Sequence, residues 1–255
     1  MRRIHLLFAA LVAMILFAWF SGRGSAARIN TIHCINLDSA TERWSAMQAA
    51  SASCPLKIQR WRATYGPDLS VDDLYKEGVG YAIIAKGSGP YRDQLKEKRN
   101  LGVAGCFISH RRLMTHLASL PFAAGDGHLI LEDDVDLPHG FLGPDHEWHT
   151  LVKHVPHDWD VLYLGMTHQI GDPVNSHVVR LHNRAGYNKG NWGMFGYLVR
   201  HGALEKILPH LTYMNDALDN QFSRVYDCCN VYAFKKMVVP LNKELNAKST
   251  ITTIA

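Results

Sequence analysis

The chain has 255 residues, 47% of them hydrophobic, enough to bury one large α/β core or two small ones. Its 27 basic and 23 acidic side chains leave a formal charge of +4, and no long basic run occurs, which argues against a nucleic-acid-binding surface. The five cysteines, Cys34, Cys54, Cys106, Cys228 and Cys229, are odd in number, irregularly spaced and without a CxxC pair, which argues against a disulfide framework and a structural zinc site. They read as thiols; in an oxidising lumen one bridge such as Cys34–Cys54 is the alternative.

The N-terminus differs from the rest. Arg2 and Arg3 precede Ile4–Phe20, a segment with no charge except a protonatable His5. As a helix, about 17 residues reach about 26 Å, just short of a hydrocarbon core of about 30 Å and longer than the usual signal-peptide core of about 7–15 residues. Trp19 and Phe20 sit at its far end, where aromatic rings favour the interface. The segment reads as an uncleaved signal-anchor that makes residues 4–20 a membrane contact. A signal peptide cleaved after the small residues Ser25-Ala26-Ala27 is the alternative. Arg23 and Arg28 follow the segment, so charge does not set its orientation. Residues 1–28 are thus anchor and short stem, and 29–255 one domain.

That domain opens with INTIHCINLD, residues 29–38, which predicts a strand, and SATERWSAMQAA, which predicts a helix to about Ala50 capped by Ser39 or Thr41. LKIQRWRA, 56–63, predicts a second strand. A β-α-β beginning favours a parallel sheet. Residues 68–100 are polar and Gly-rich and read as an irregular connection. LGVAGCFISHRRLMTHLASL, 101–120, has apolar residues at helical spacing. HLILE, 128–132, and WDVLYLG, 159–165, are short, doubly apolar strands. Met194–Val199 predicts a strand, Gly202–Leu208 a helix, Asp219–Val225 a last helix and residues 230–239 a last strand.

The stretch HLILEDDVDLPHG, 128–140, ends an aliphatic strand in Glu132, Asp133 and Asp134, with Asp136 beyond a valine. If the extended backbone continues, Glu132 and Asp134 share one face and Asp133 takes the other. The carboxyl end of a parallel strand is where open α/β sheets bind ligands. Acids there can hold a hard divalent ion, Mg²⁺ or Mn²⁺, whose shell a diphosphate completes. The alternative is a loop in which Asp133 or Asp134 caps the next turn and the others are solvated. His146, His149, His154 and His157 lie in HEWHTLVKHVPHD, but the spacing is not HExxH, and they read as solvated residues of a helix.

Taken together, CINLDSATERWSAM, IQRWRATYG with its Ala-x-x-Gly, LGVAGCFISHRRLM with its Gly-x-x-Gly-Cys-x-x-Ser-His, LILEDDV, WDVLYLG and FGYLVRHGALEKIL resemble glycosyltransferase family 25. That family includes bacterial lipooligosaccharide galactosyltransferases and procollagen galactosyltransferases. The segments fall in the family's order across roughly 29–255. The resemblance implies a GT-A type fold, a Rossmann-like mixed α/β sheet flanked by helices. It also implies a nucleotide-sugar donor, with UDP-galactose expected, and inverting transfer to a hydroxyl of a glycan or glycoprotein, assisted by Mn²⁺ or Mg²⁺. Glu132-Asp133-Asp134 would stand in place of Asp-x-Asp, with Asp134 on the metal, Glu132 on the ribose or a metal-bound water, and Asp133 supporting the site. Asp219, or Asp216, would be the general base; a helix N-terminal acid is the structural alternative. Asn36, Asp38 and Arg43 would flank the nucleotide, Arg43 pairing with phosphate, and Ser109 and His110 would contact the donor. Asp160 matches as well and reads as structural. Two departures stand out: Val103 occupies a position where the family often has an acid, and the Arg-rich stretch after INLD shrinks to SATER.

The functions that compete with a transferase are a non-catalytic GT-A-like protein that binds a glycan or partner, and a metal-dependent phosphohydrolase. The intact acids argue against the first; Val103 argues for it. An anchored domain would face the ER or Golgi lumen in a eukaryote and sit at the inner membrane in a bacterium.

Overall fold

A computed structural model describes residues 27–84, 94–184 and 190–247. The expected anchor, 4–20, lies outside the described residues. Among the described residues no helix is long and apolar enough to cross a membrane.

The strands are β1 (Thr31–Asn36), β2 (Ile58–Arg62), β3 (Gly127–Glu132), β4 (Val161–Gly165), β5 (Gly171–Pro173), β6 (Val178–Leu181), β7 (Gly196–Arg200) and β8 (Val231–Phe234). The helices are α1 (Thr41–Ala50), α2 (Val71–Lys76), α3 (Tyr81–Ile84), α4 (Gln94–Ala118), α5 (Trp148–Leu151), α6 (Leu204–Ile207), α7 (Leu218–Phe222) and α8 (Lys243–Ala247). The strands form one sheet in the order β2-β1-β3-β7-β4-β8-β6-β5. The expected parallel start is present: β1 lies parallel to both β2 and β3. The sheet then becomes mixed. β7 runs antiparallel to β3 on one side and β4 on the other, while β4 and β8 are parallel. The carboxyl ends of β1, β2, β3, β4 and β8 therefore gather at one edge, together with the start of β7.

Alternation along the strands explains the layering. Ile130, Tyr163, Tyr197 and Val199 face a core completed by Phe107, Ile108, Leu113 and Met114 of α4 and by Leu204, Ile207 and Phe222. Leu129, Leu131, Leu162 and Leu198 face the opposite core, which Met47 of α1, Phe141, Trp148 and Trp159 complete. Both faces are covered, so the central strands read as continuous apolar runs. Full burial of each large side chain is worth about 1.5–3 kcal/mol.

Several expectations need adjustment. Neither Ser39 nor Thr41 caps α1; the cap is Ala40, in a turn closed by its own N–H on Leu37 O. The connection 68–100 is more regular than its composition suggests. Its α2 is held by a capping box in which Ser70 Oγ accepts from Asp73 N while Asp73 accepts from the Ser70 N–H. The helix expected from 101 begins at Gln94. The helix after β7 is broken into 3-10 and α turns around Pro209. Residues 165–192 add β5 and β6 at the sheet edge. All five cysteines are free thiols, so the Cys34–Cys54 alternative is not formed. Cys229 is buried and Cys228 exposed, their sulfurs 3.8 Å apart.

Candidate active site

β1 ends at Asn36, which is 1% exposed and uses its whole amide. Nδ2 donates to Ala40 O at 3.1 Å and to Asp133 Oδ2 at 2.6 Å, and Oδ1 accepts from Arg60 Nε at 2.8 Å. Asn36 thus ties the start of α1 and the acidic turn to the sheet. Arg43, in the first turn of α1, donates to the other Asp133 oxygen at 2.8 Å and to Leu245 O at 2.9 Å. Its guanidinium also lies 3.9 Å from Asp134 Oδ2. Each oxygen of the buried Asp133 is therefore held by a protein donor. Asp38 is drawn elsewhere: it pairs with Arg60 at 3.1 Å and Arg62 at 2.6 Å on β2, half exposed, and lines neither cleft described below.

The second wall is α4, which approaches the turn after β2 backbone to backbone. A Cβ added to Gly66 would lie 1.7 Å from Leu101 O, and one on Gly105 would lie 2.5 Å from Thr64 O. Only glycine permits this contact. Ser109 completes it: Oγ donates to Gly105 O at 2.6 Å and accepts from Thr64 N at 2.8 Å. Ser109 is thus occupied in positioning the turn as well as lining the cleft. His110, 1% exposed, shares a hydrogen bond of 2.9 Å between Nδ1 and Tyr197 OH. Its Nε2 lies 3.3 Å from Glu132 Oε1, off the line of a hydrogen bond, and has no hydrogen-bonding partner among the described residues.

The chain turns immediately after Glu132, so strict alternation of the acids does not persist. All three carboxylates line a first cleft with Ile35, Leu37, Arg43, Tyr65 and Ser109. Glu132 and Asp134 also line a second cleft with Val103, Thr167, Gly193, Phe195 and Asp219. Both clefts are open to solvent on one side. The two acids and Cys106 border both clefts and partition them. Asp136 is exposed; its N–H binds Pro240 O, and Asn242 N binds Asp134 O. The C-terminal segment therefore holds the acidic turn in place.

Asp134 is 6% exposed, and its buried Oδ1 has no hydrogen bond among the described residues. Burial first, then the Glu132 charge, push its pKa up to about 7 against the opposing pull of Arg43. An orphan carboxylate oxygen beside a second carboxylate fits a hard divalent cation such as Mn²⁺ or Mg²⁺. Asp219, early in α7, accepts from Gly193 N at 3.3 Å and Asn220 N at 2.8 Å. Burial is the main reason its pKa is raised. Asp216 accepts from Ala217 N and Asn220 Nδ2 and lines neither cleft.

Asp160 is structural, as expected: it receives Asn230 N at 2.9 Å and pairs with Lys206 at 3.2 Å. The histidines of 146–157 are not gathered. His146 accepts from Trp148 N, His149 meets Gly143 O, and His154 stacks on His177. Sequence reading overlooked Thr64, Tyr65, Gly193 and Leu241 as lining residues. Tyr65 and Gly66 carry a signal in the Ala-x-x-Gly segment; Leu241 carries none, because its place depends on a strand-like bridge to Val135.

The model of glycosyltransferase family 25 (LPS biosynthesis protein) matches residues 29–222, most of the chain. No curated protein matches it.

Proposed function

The chain belongs to glycosyltransferase family 25, and from that premise we propose that it is an inverting, metal-assisted transferase of GT-A type. It moves a sugar, galactose in this reading, from a UDP-sugar in the first cleft to a hydroxyl of a glycan or glycoprotein in the second. The observation that carries this is the partition: Glu132 and Asp134 border both clefts, and Asp134 has a buried oxygen with no hydrogen bond.

Arg43 and Ser109 supply polar contacts beside the apolar wall of Ile35, Leu37 and Tyr65, a lining suited to a nucleotide. Asn36 holds Asp133 and the acidic turn rather than the ligand. Glu132 and Asp134 would hold Mn²⁺ or Mg²⁺, which when bound offsets charge on the diphosphate leaving group. Asp219, across the second cleft, accepts the proton of the attacking hydroxyl. Its hydrogen bonds from Gly193 and Asn220 orient it. The apolar segment 4–20 tethers the domain to a membrane, in the ER or Golgi of a eukaryote or at the inner membrane of a bacterium.

Val103 in the second cleft favours one competing reading, a binding protein without catalysis. Calorimetry on the full chain in mild detergent separates the two. UDP, UDP-galactose, UDP-glucose and GDP-mannose are titrated with Mn²⁺ and with EDTA, on the parent protein and on Asp134→Asn. We expect metal-dependent binding of a UDP-sugar, weakened about tenfold or more in the variant. A folded protein that binds no donor would establish the non-catalytic reading instead.

A further inference from the structure

The face of α4 toward β3 brings together three groups that the transfer chemistry does not need as a set. Cys106 and His110 are one turn apart on the same helix face, and Glu132 ends the neighbouring strand. One ligand atom from each lies within 4.8 Å of the other two. Cys106 Sγ is 3.9 Å and His110 Nε2 3.3 Å from the same Glu132 oxygen. The imidazole is 1% exposed, held at Nδ1 by Tyr197 and without a hydrogen bond at Nε2. A ring nitrogen fixed by a hydrogen bond on one side and bare on the other, aimed at a carboxylate and a thiol, is the geometry of a metal-ligating histidine with its outer partner. Oxygen-only sites suit Mn²⁺ and Mg²⁺; a sulfur, nitrogen and oxygen set suits Zn²⁺.

We propose that Cys106, His110 and Glu132 form a three-ligand site for Zn²⁺, and that Zn²⁺ bound there inhibits the protein by engaging Glu132 in the wall of the first cleft, which Cys106 and His110 also line. The inhibition rests on the function proposed above; the binding does not. On binding, the Cys106 S–H bond breaks, the sulfur keeps the electron pair and bonds the metal, and the proton passes to solvent. His110 binds through neutral Nε2, no group changes oxidation state, and the fourth position is left to water.

Co²⁺ reports such a site directly, since thiolate ligation produces a near-ultraviolet charge-transfer band. The full chain, freed of metal, is titrated with Co²⁺ alongside Cys106→Ala, Cys106→Ser, Tyr197→Phe and Cys228→Ser, with folding checked by circular dichroism. The band should appear at one equivalent, bleach with Zn²⁺, vanish in both Cys106 variants and persist in Cys228→Ser. Tyr197→Phe should weaken Co²⁺ binding by about 10–100-fold. Zn²⁺ should also suppress donor binding in the parent protein and lose that effect in Cys106→Ala. A folded parent protein without the band, or a band that survives Cys106→Ala, overturns the site. So does one lost in Cys228→Ser, whose sulfur lies 3.4 Å from His210 Nε2. A band present with no effect of Zn²⁺ on donor binding overturns the inhibition alone, and the cobalt spectra decide the site even if no donor binds.

Discussion

At the scale of single residues, the half-buried Asp219 and the buried Asp134 both have raised pKa values, with different consequences. In the proposed transfer Asp219 must be ionised to accept a proton, and burial raises its pKa. The rising limb of the pH–rate profile should therefore lie above the ordinary aspartate range. Asp219→Asn should lower kcat by about 10²–10⁴-fold and leave donor affinity nearly unchanged, measured by steady-state kinetics and calorimetry. Asp134 is strained electrostatically rather than sterically. Its folded-state pKa of about 7 exceeds the ordinary aspartate value of 3.8, so between those values the folded chain binds more protons than the unfolded one. Its contribution to stability then falls as pH rises through that window. Metal-free Asp134→Asn should melt above the parent protein at pH 8, with the gap narrowing toward pH 5. A destabilising charge kept at a functional site is the expected trade of stability for activity. The acids were legible as a cluster in the sequence, but their separate roles were not. Asp133 became a structural anchor only because Asn36 and Arg43 fold against it.

At the scale of elements, the contact between α4 and the turn after β2 shapes the first cleft. Gly105→Ala would place a Cβ 2.7 Å from Gly66 N and force the helix outward. We expect a loss of about 1–3 kcal/mol in denaturant unfolding, with weaker donor binding because Ser109 would no longer reach Thr64. The long elements were readable: β1, α1, β3 and β4 lie close to where the sequence puts them, and α4 is present but begins earlier. The short helices were not, because a single turn gains its stability from tertiary packing rather than propensity. α2 did leave a trace in Ser70-x-x-Asp73, a capping pair with Asp in place of the usual Glu. The strands β5 and β6 depend on pairing with each other and with β8, so their short segments carried little periodicity to read.

At the scale of the whole molecule, the sheet separates two titrating regions. Opposite the acidic edge, Thr31 Oγ1 bridges His33 Nε2 at 2.9 Å and His128 Nδ1 at 2.8 Å, and His128 Nε2 reaches His201 Nδ1 at 3.1 Å. Burial, and then His116 beside His33 and His201 beside His128, lower both pKa values to about 4. Between pH 6.5 and 4 the unfolded chain binds more protons, so these residues make stability fall as pH falls. Thermal unfolding across that range should be less acid-sensitive in His128→Gln than in the parent protein, whatever the variant's stability at neutral pH. The two regions thus act in opposite directions on the pH dependence of stability. By itself the sequence determined the α/β class, the parallel start and the acidic turn at a strand end, because period, propensity and charge are local properties of the chain. The tertiary structure alone decided that β7 runs antiparallel between β3 and β4, that Asp38 is drawn out to β2 while Asp219 is drawn in, and that Glu132 and Asp134 divide two clefts. Those outcomes depend on which distant segments share a core, and no local pattern encodes that.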